Sequence, residues 1–141
     1  MGDTQNPRSP GRRPISILVV DDSATMRMLI KRVASLCDVP IAHVYEAANG
    51  AEAIEVLEAN EVDALFTDVN MPVMTGPELL RELGKHERYR SLTRVIISTD
   101  GSSARREEMR DLNVRLFIEK PFRPEVMRDV FSEITAVAGV R

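Results

Sequence analysis

The chain has 141 residues, a net formal charge of -3 and a single cysteine, Cys37. This length suffices for one domain with its own hydrophobic core, and a lone cysteine excludes an intrachain disulfide framework. No apolar run approaches the roughly 20 residues of a membrane span, and the N-terminus lacks the apolar core of a secretory signal. We therefore expect a cytoplasmic protein without membrane insertion.

The first fourteen residues differ in composition from the rest. They contain Arg8, Arg12 and Arg13, several prolines and almost no apolar side chain. This composition predicts a disordered tail over residues 1–14, with a basic docking arm as the alternative. Residues 15–141 are mildly acidic, and basic side chains do not cluster there beside aromatic ones, so we expect no binding of nucleic acid by this chain.

From Ile15 onwards, short aliphatic runs alternate with stretches of helical periodicity. The first run, Ile15–Val20, is almost wholly apolar, as a strand covered on both faces should be. A helix is predicted after it, with Ser23 as its N-cap and an apolar stripe at helical spacing. The residues of that stripe are Met26, Leu29, Ile30, Val33 and Cys37.

The same alternation continues to the end of the chain. Further strands are predicted at 43–47, 64–67, 94–98 and 115–119, and further helices at 51–59, 78–84, 103–112 and 124–138. The last helix should bury Val126, Val130, Ile134 and Val137, with Met127 and Phe131 adjoining. Five strand–helix units thus account for residues 15–141 as one domain, which indicates an α/β fold with a parallel sheet.

Polar side chains follow four of the five predicted strands. Asp21 and Asp22 come after the first strand, Asp68 after the third, Thr99 after the fourth and Lys120 after the fifth. In open α/β sheets, ligands bind at the carboxyl ends of the strands. The pattern therefore predicts three carboxylates, a hydroxyl and an ammonium at one edge of the sheet.

Carboxylates brought together need a positive partner. Two unit charges 4 Å apart repel by about 4 kcal/mol at an effective dielectric constant of about 20. Lys120 can neutralise one charge, and Mg2+ suits the remainder, because it binds few carboxylates, keeps several waters and pairs with phosphate. A carboxylate can also accept a phosphoryl group while a metal and a lysine stabilise the transferring group. The set therefore predicts magnesium-dependent phosphoryl chemistry.

Each position also has an ordinary structural interpretation. Asp21 and Asp22 could cap the first helix, Asp68 could lie in a simple turn, and Lys120 could be a solvated strand end. Taken singly, these interpretations are adequate. We favour a functional site because they do not explain why all the positions fall at strand ends of one five-unit fold.

The strand-end stretches resemble the receiver domains of two-component response regulators, and among them the stand-alone, CheY-like regulators of chemotaxis. The resemblance covers nearly the whole chain after the tail. It implies a flavodoxin-like (βα)5 fold with strand order 2-1-3-4-5, the order found in flavodoxin and CheY. The stretches that carry it are ILVVDDSATMR (17–27), EAANGAEA (46–53), TDVNMPVMTG (67–76), IIST (96–99) and EKPF (119–122).

The resemblance implies a role for each strand-end residue. Asp68 is expected to be the phosphoacceptor, and Asp21 and Asp22 are expected to hold Mg2+ together with Asp68 and the backbone carbonyl of Asn70. Lys120, before an expected cis proline at Pro121, would pair with the phosphate.

Two further residues match the switch positions of the family. Thr99 would bond the phosphoryl oxygen through its hydroxyl, and Phe117 would be the aromatic residue that follows it. An ordinary core position in the fifth strand is the alternative for Phe117.

By the same resemblance, the chain is a monomeric signalling protein and not an enzyme in the usual sense. It would accept phosphate from a histidine kinase or phosphotransfer protein and catalyse only its own phosphorylation and dephosphorylation. A downstream target would bind the face formed by the fourth helix, fifth strand and fifth helix. The alternatives are a receiver module cut from a longer regulator, and a haloacid-dehalogenase-like phosphatase, which is disfavoured because its nucleophile lies in a DxD pattern on the first strand.

Asp100 departs from the family pattern, which has a small residue after the switch threonine. As a hypothesis, its charge disfavours the incoming phosphoryl group and slows phosphorylation or shortens the phosphorylated state, and Asp100→Ala with both rates unchanged would refute it. The alternative is that Asp100 points outward and caps the fourth helix. His43 and His86 are isolated in the sequence and receive no role.

Overall fold

The computed structural model describes residues 13–99 and 101–139, with side chains as far as residue 136. Most of the predicted tail, Asp100 and the side chain of Val137 therefore lie outside the described residues. Arg13, the first described residue, forms a salt bridge of 2.6 Å with Asp63. Within the described part of the chain, no helix has the length and apolar character needed to cross a bilayer.

Five parallel strands form one sheet in the order β2-β1-β3-β4-β5. The fold class and strand order are those implied by the resemblance, and both are confirmed. Strands β1, β3 and β4 occupy the centre of the sheet and are almost wholly buried, which is why most of their residues are apolar. The strands are β1 (Ile15–Val20), β2 (Ile41–Ala47), β3 (Ala64–Thr67), β4 (Thr93–Ser98) and β5 (Leu116–Glu119).

In the described residues, four α-helices connect successive strands and a fifth follows β5, and two short 3-10 turns lie at 87–89 and 110–112. The predicted helix over 103–112 was too long, because α4 ends at Glu108. The 3-10 turn after it closes at Asn113, whose φ of 60° places it in the left-handed region that ends helices. The helices are α1 (Ala24–Leu36), α2 (Gly50–Ala59), α3 (Gly76–Leu83), α4 (Ser103–Glu108) and α5 (Pro124–Gly139).

Side-chain caps start α1, α2, α3 and α4 directly after the loops at the carboxyl edge of the sheet, with Ser102 as the cap of α4. The Ser23 hydroxyl accepts a hydrogen bond from the backbone N–H of Met26 at 3.1 Å, as predicted. Asn49 caps α2 through the N–H of Glu52 at 2.9 Å. Thr75 and Glu78 form a reciprocal capping box at the start of α3. These caps hold the loops that carry the strand-end residues.

The hydrophobic core lies on both faces of the sheet. Helices α1 and α5 cover one face, where Phe131 packs edge-on against Phe66 at 5.3 Å between ring centres. Helices α2 and α3 cover the other face, with leucines from α3 fully buried there. Two predicted core positions were wrong, since Leu29 is 42% exposed and Val126 is 44% exposed.

In α1 and α5, the buried apolar stripe is rotated slightly from the predicted one. In α1 it contains Ile30, Val33 and Ala34, and in α5 it includes Met127, which is fully buried. Both stripes keep helical spacing, so the periodicity was correct and its centre was not. An apolar residue at the border of a stripe can be buried or exposed, and periodicity alone does not decide which.

The start of α3 packs against the loop after β3. A Cβ atom added to Gly76 would overlap the backbone oxygen of Asp68. The Gly76 N–H also donates to the carbonyl of Val69 at 2.8 Å, which holds the two segments in contact. A glycine is therefore required where the helix meets the segment that carries Asp68.

We predict that Gly76→Ala lowers the free energy of unfolding by about 2–3 kcal/mol, because backbone atoms must move to admit the new methyl group. Gly84 is the matched control, since a Cβ there would meet its nearest atoms at 3.5 and 3.6 Å. Gly84→Ala should change stability by less than about 1 kcal/mol. Urea denaturation measures both variants, and equal losses would contradict the steric argument.

Candidate functional site

Three carboxylates converge at the carboxyl edge of the sheet. Asp21 follows β1 and Asp68 follows β3, and these strands are neighbours with Val20 paired to Thr67. The Asp68 N–H continues the strand pairing by donating to the carbonyl of Val20 at 2.9 Å. Asp21, Asp22 and Asp68 each offer an oxygen, and these oxygens lie within 4.8 Å of one another. The structure thus brings together the three acids that the strand-end pattern singled out.

Lys120 joins two of these carboxylates. Its Nζ donates to Asp21 Oδ2 at 2.9 Å and to Asp68 Oδ2 at 3.3 Å. The three side chains are 11%, 4% and 14% exposed, so the contacts are largely shielded from solvent. The Lys120 N–H donates to the carbonyl of Ser98 at 2.8 Å, and the peptide bond to Pro121 is cis, as expected. Two carboxylates from different strand ends, Asp21 and Asp68, therefore share one ammonium.

One ammonium does not balance three carboxylates. The shielded pair, Asp21 and Asp68, is already matched against a single charge on Lys120. Asp22 is exposed and adds a third negative charge at the mouth of the cluster. Carboxylates at this spacing repel one another by about 4 kcal/mol when the effective dielectric constant is about 20. The cluster therefore favours a further cation, one that accepts carboxylate oxygens as ligands.

Burial and neighbouring charges both shift the pKa values of Asp68 and Lys120. Burial raises the pKa of Asp68, and the charge of Asp21 adds to that effect, while the Val69 N–H at 2.7 Å and Lys120 oppose it. Burial lowers the pKa of Lys120, but its hydrogen bond to Asp21 and the charges of both aspartates outweigh burial and raise it. Lys120 is therefore charged, and the ionised form of Asp68 is disfavoured relative to a solvated aspartate.

Arg27 supports the cluster from α1, and the sequence analysis did not single it out. Its Nη1 donates to the backbone carbonyl of Asp21 at 2.6 Å, and its Nε donates to Glu46 at 3.0 Å. Lys31 also donates to Glu46, at 2.9 Å. The hydrogen bond from Lys31, with that from Arg27, lowers the pKa of Glu46 despite partial burial. This network ties α1 and β2 to the loop that carries the acidic pair.

The predicted switch residues lie at the carboxyl edge of β4 and within β5, three residues before Lys120. Thr99 directly follows β4 at the same edge, and its side chain is exposed. Phe117 in β5 is half-buried, and the guanidinium of Arg106 lies 4.4 Å from the centre of its ring. Arg106 also donates to the carbonyl of Gly101 at 3.1 Å. The α4 side chain therefore contacts both the aromatic residue and the loop that follows Thr99.

The loop after Asp68 has a tight turn at its tip. Val73 has a φ of 68° and is 81% exposed. The N–H of Met74 donates to the carbonyl of Pro72 at 2.7 Å and closes the turn around it. A β-branched residue in this conformation costs on the order of 1–3 kcal/mol, a strain that often occurs beside functional sites.

The two methionines of this loop contact the rest of the fold. Met71 is buried, and the side chain of Met74 lies where a Cβ on Gly50 would stand. Both methionines therefore pack within the fold. Asn70, two residues after Asp68, is exposed, and the role of its carbonyl stays a prediction.

A doubly wound five-stranded sheet with an acidic cluster and a bridging lysine at its carboxyl edge defines the receiver class of signalling domain. Comparison with known proteins agrees with this class. The family model described as response regulator receiver domain matches residues 17–132.

Individual relatives give the same result. A chemotaxis protein CheY homolog of Campylobacter jejuni is 36% identical over 121 residues, covering 85% of this chain and 92% of that protein. The chemotaxis protein CheY1 of Helicobacter pylori is 37% identical over 116 residues, covering 82% and 92%. The solved structure of the chemotaxis response regulator CheY4 of Vibrio cholerae has a TM-score of 0.78 and 27% identity, covering 86% of this chain and 99% of that one. The chain therefore belongs to the response regulator receiver domain family, and within it to the CheY-like receivers.

Proposed function

We propose that this chain is a phosphorylation-dependent switch in which Asp68 accepts a phosphoryl group from a histidine kinase or phosphotransfer protein. The observation that carries the proposal is the Lys120 ammonium, 2.9 Å from Asp21 and 3.3 Å from Asp68, within a cluster that still has excess negative charge. Such an arrangement suits the transfer of an anionic group to a carboxylate once a cation is present.

Mg2+ is the cation that the cluster fits best. The donors are carboxylate oxygens within 4.8 Å of one another, on Asp21, Asp22 and Asp68, and hard oxygen ligands of this kind suit Mg2+. The backbone carbonyl of Asn70 is the proposed further ligand. When bound, Mg2+ supplies positive charge that offsets the charge of the phosphoryl oxygens.

The residues of the chain prepare Asp68 for this reaction. The Val69 N–H holds its Oδ1 at 2.7 Å, which restricts rotation of the carboxylate. An oxygen of Asp68 forms the new bond to phosphorus while the bond from phosphorus to the donor breaks, and the donor leaves with that electron pair. Lys120 is charged and within contact of Asp68, so it can stabilise the negative charge that develops on the transferring group.

The proposed switch then acts through Thr99 and Phe117. The Thr99 hydroxyl donates to a phosphoryl oxygen, and the ring of Phe117 moves inward as the loop after β4 shifts. The guanidinium of Arg106 lies over this ring and donates a hydrogen bond to the carbonyl of Gly101. Displacement of Phe117 or of Gly101 therefore alters the position of α4. No residue of α4 is buried, which suits an element of low local stability whose population a modification can shift.

The partner surface is proposed to be the face formed by α4, β5 and α5, which a downstream target would bind. The CheY-like relatives are named for chemotaxis, so we propose a target in the control of motility. We further propose that the protein acts as a monomer in the cytoplasm, where its single free cysteine, Cys37, suits a reducing compartment. A receiver module within a longer regulator would use the same phosphorylation site.

Incubation with Mg2+ and a small acyl phosphate, followed by intact mass measurement, tests the phosphorylation site. We expect the mass of one phosphate to be added per chain and lost in Asp68→Asn or with excess EDTA. Asp129→Asn is the matched control, because Asp129 is exposed on α5 and is not one of the three acids of the cluster. Equal addition to Asp68→Asn would overturn the assignment, and sustained hydrolysis of a generic phosphate ester would favour the phosphatase alternative.

A fluorescent reporter tests the switch. The chain has no tryptophan, so Phe117→Trp introduces a single one at the switch position. On phosphorylation, the emission maximum should shift to shorter wavelength because the ring becomes more buried. Thr99→Ala in the same background should retain the phosphate mass but lose the shift. An identical shift with and without the Thr99 hydroxyl would contradict the coupling of these two residues.

A further inference from the structure

A second charged site lies at the opposite end of the sheet, around Arg94 near the start of β4. This side chain is 3% exposed, and its Nη1 and Nη2 donate to the carbonyls of Leu92 and Tyr89 at 2.9 and 3.1 Å. Its Nε is buried without a hydrogen-bond partner. Among the residues that the structure describes, no carboxylate forms an ion pair with Arg94. Arg94 is thus a buried guanidinium opposed only by neutral carbonyl groups.

Such a group is costly to the fold. Moving an ion out of water costs several kcal/mol unless a charge of opposite sign and a full set of hydrogen bonds replace the solvent. Burial lowers the pKa of Arg94, which reflects the same penalty. Guanidinium groups keep their proton in proteins, so the charge is retained and an anion beside it would offset much of the cost.

There is space for an anion next to Arg94. The residue lines a cavity of 530 Å³ between the end of α3 and the two 3-10 turns, and cavities of about 300–1,000 Å³ are typical of small-molecule sites. It also lines a second cavity of 450 Å³, and Arg90 and Asn113 are common to both. Arg94 therefore lies in the wall between two adjoining hollows that open to solvent.

The walls of the larger cavity carry more basic than acidic side chains. Arg81, Lys85 and Arg90 line it together with Arg94, against the two carboxylates Glu87 and Asp111. Glu87 is already paired with Arg90 at 3.0 Å. Arg81 and Lys85 also have carboxylate partners, Glu108 at 3.8 Å and Glu82 at 3.3 Å, but these pairs are exposed and therefore weak. Arg94 is the most deeply buried of the four cations, and among the described residues it forms no ion pair.

The cavity is distinct from the acidic cluster. Arg94 is paired with Leu65 in the sheet register, three residues before Asp68. At about 3.3 Å per residue, this places Arg94 about 10 Å from Asp68 along the strand direction. The two sites have opposite charge and lie towards opposite ends of the parallel strands, so a ligand at one does not occupy the other.

We propose that this cavity binds a small phosphate-bearing molecule, with the guanidinium of Arg94 as its principal charge partner. The guanidinium keeps its charge in the wall of the cavity, and the exposed cations around it can exchange their carboxylate partners for a phosphate group. This binding does not depend on phosphorylation of Asp68 and needs no metal ion.

Calorimetric titration of the full chain with inorganic pyrophosphate tests the proposal. EDTA is included and ionic strength is held constant, so that neither Mg2+ nor screening contributes. We expect saturable binding that weakens about tenfold or more in Arg94→Met, since a buried charge partner is lost. Arg32→Met is the matched control, because Arg32 is exposed on α1 and removes the same charge without lining the cavity. Its affinity should equal that of the wild type.

Two more variants keep the proposal open to refutation if Arg94→Met does not fold. Asp111→Asn removes an opposing carboxylate from the cavity wall at an exposed position, and affinity should rise a few-fold, while Asp68→Asn should leave it unchanged. Equal affinities in Asp111→Asn and the wild type would overturn the proposal. So would absence of saturable binding, equal losses in the two arginine variants, or loss of binding in Asp68→Asn.

Discussion

The contact of Lys120 with Asp21 and Asp68 is the interaction that organises the candidate site. It sets one ammonium against a cluster of three carboxylates and leaves that cluster with too much negative charge. The imbalance carries a cost, because the ionised form of Asp68 is disfavoured in the folded chain. The same imbalance creates affinity for a cation and, with the cation bound, for an incoming phosphoryl group. A site that is unfavourable when unoccupied is therefore what makes the proposed switch responsive.

The strand order and register of the sheet bring those residues together. Asp21 and Asp68 become neighbours because β1 and β3 are adjacent and in register, and Lys120 reaches them from β5, two strands beyond β3. Side-chain caps start α1, α2 and α3 immediately after the loops of this edge, and the close approach of Gly76 to Asp68 fixes the segment after β3. The strained turn at Val73 shows that the loop's conformation is determined by these contacts and not by local preference.

Sequence patterns predicted the architecture well because they reflect burial and short-range geometry. Apolar runs located every strand, and the order of polar residues at strand ends located the acidic cluster. Leu29 and Val126 were placed in the core wrongly, since periodicity finds a stripe but not which border residue is covered. Arg27 and Arg94 were missed for a different reason. Their roles arise from contacts with backbone carbonyls of other segments, and no spacing along the chain encodes such contacts.

The stability of Asp68→Asn without metal tests the central claim most directly. A raised pKa means that folding favours protonated Asp68, so this group stabilises the fold at low pH and the stabilisation is lost as pH rises through the raised value. At neutral pH in EDTA, the neutral variant should therefore have a higher Tm than the wild type. Millimolar Mg2+ should raise the Tm of the wild type more than that of the variant. A lower Tm for Asp68→Asn in EDTA, with no difference in the response to Mg2+, would show that Asp68 serves as a structural partner of Lys120 and would contradict the account.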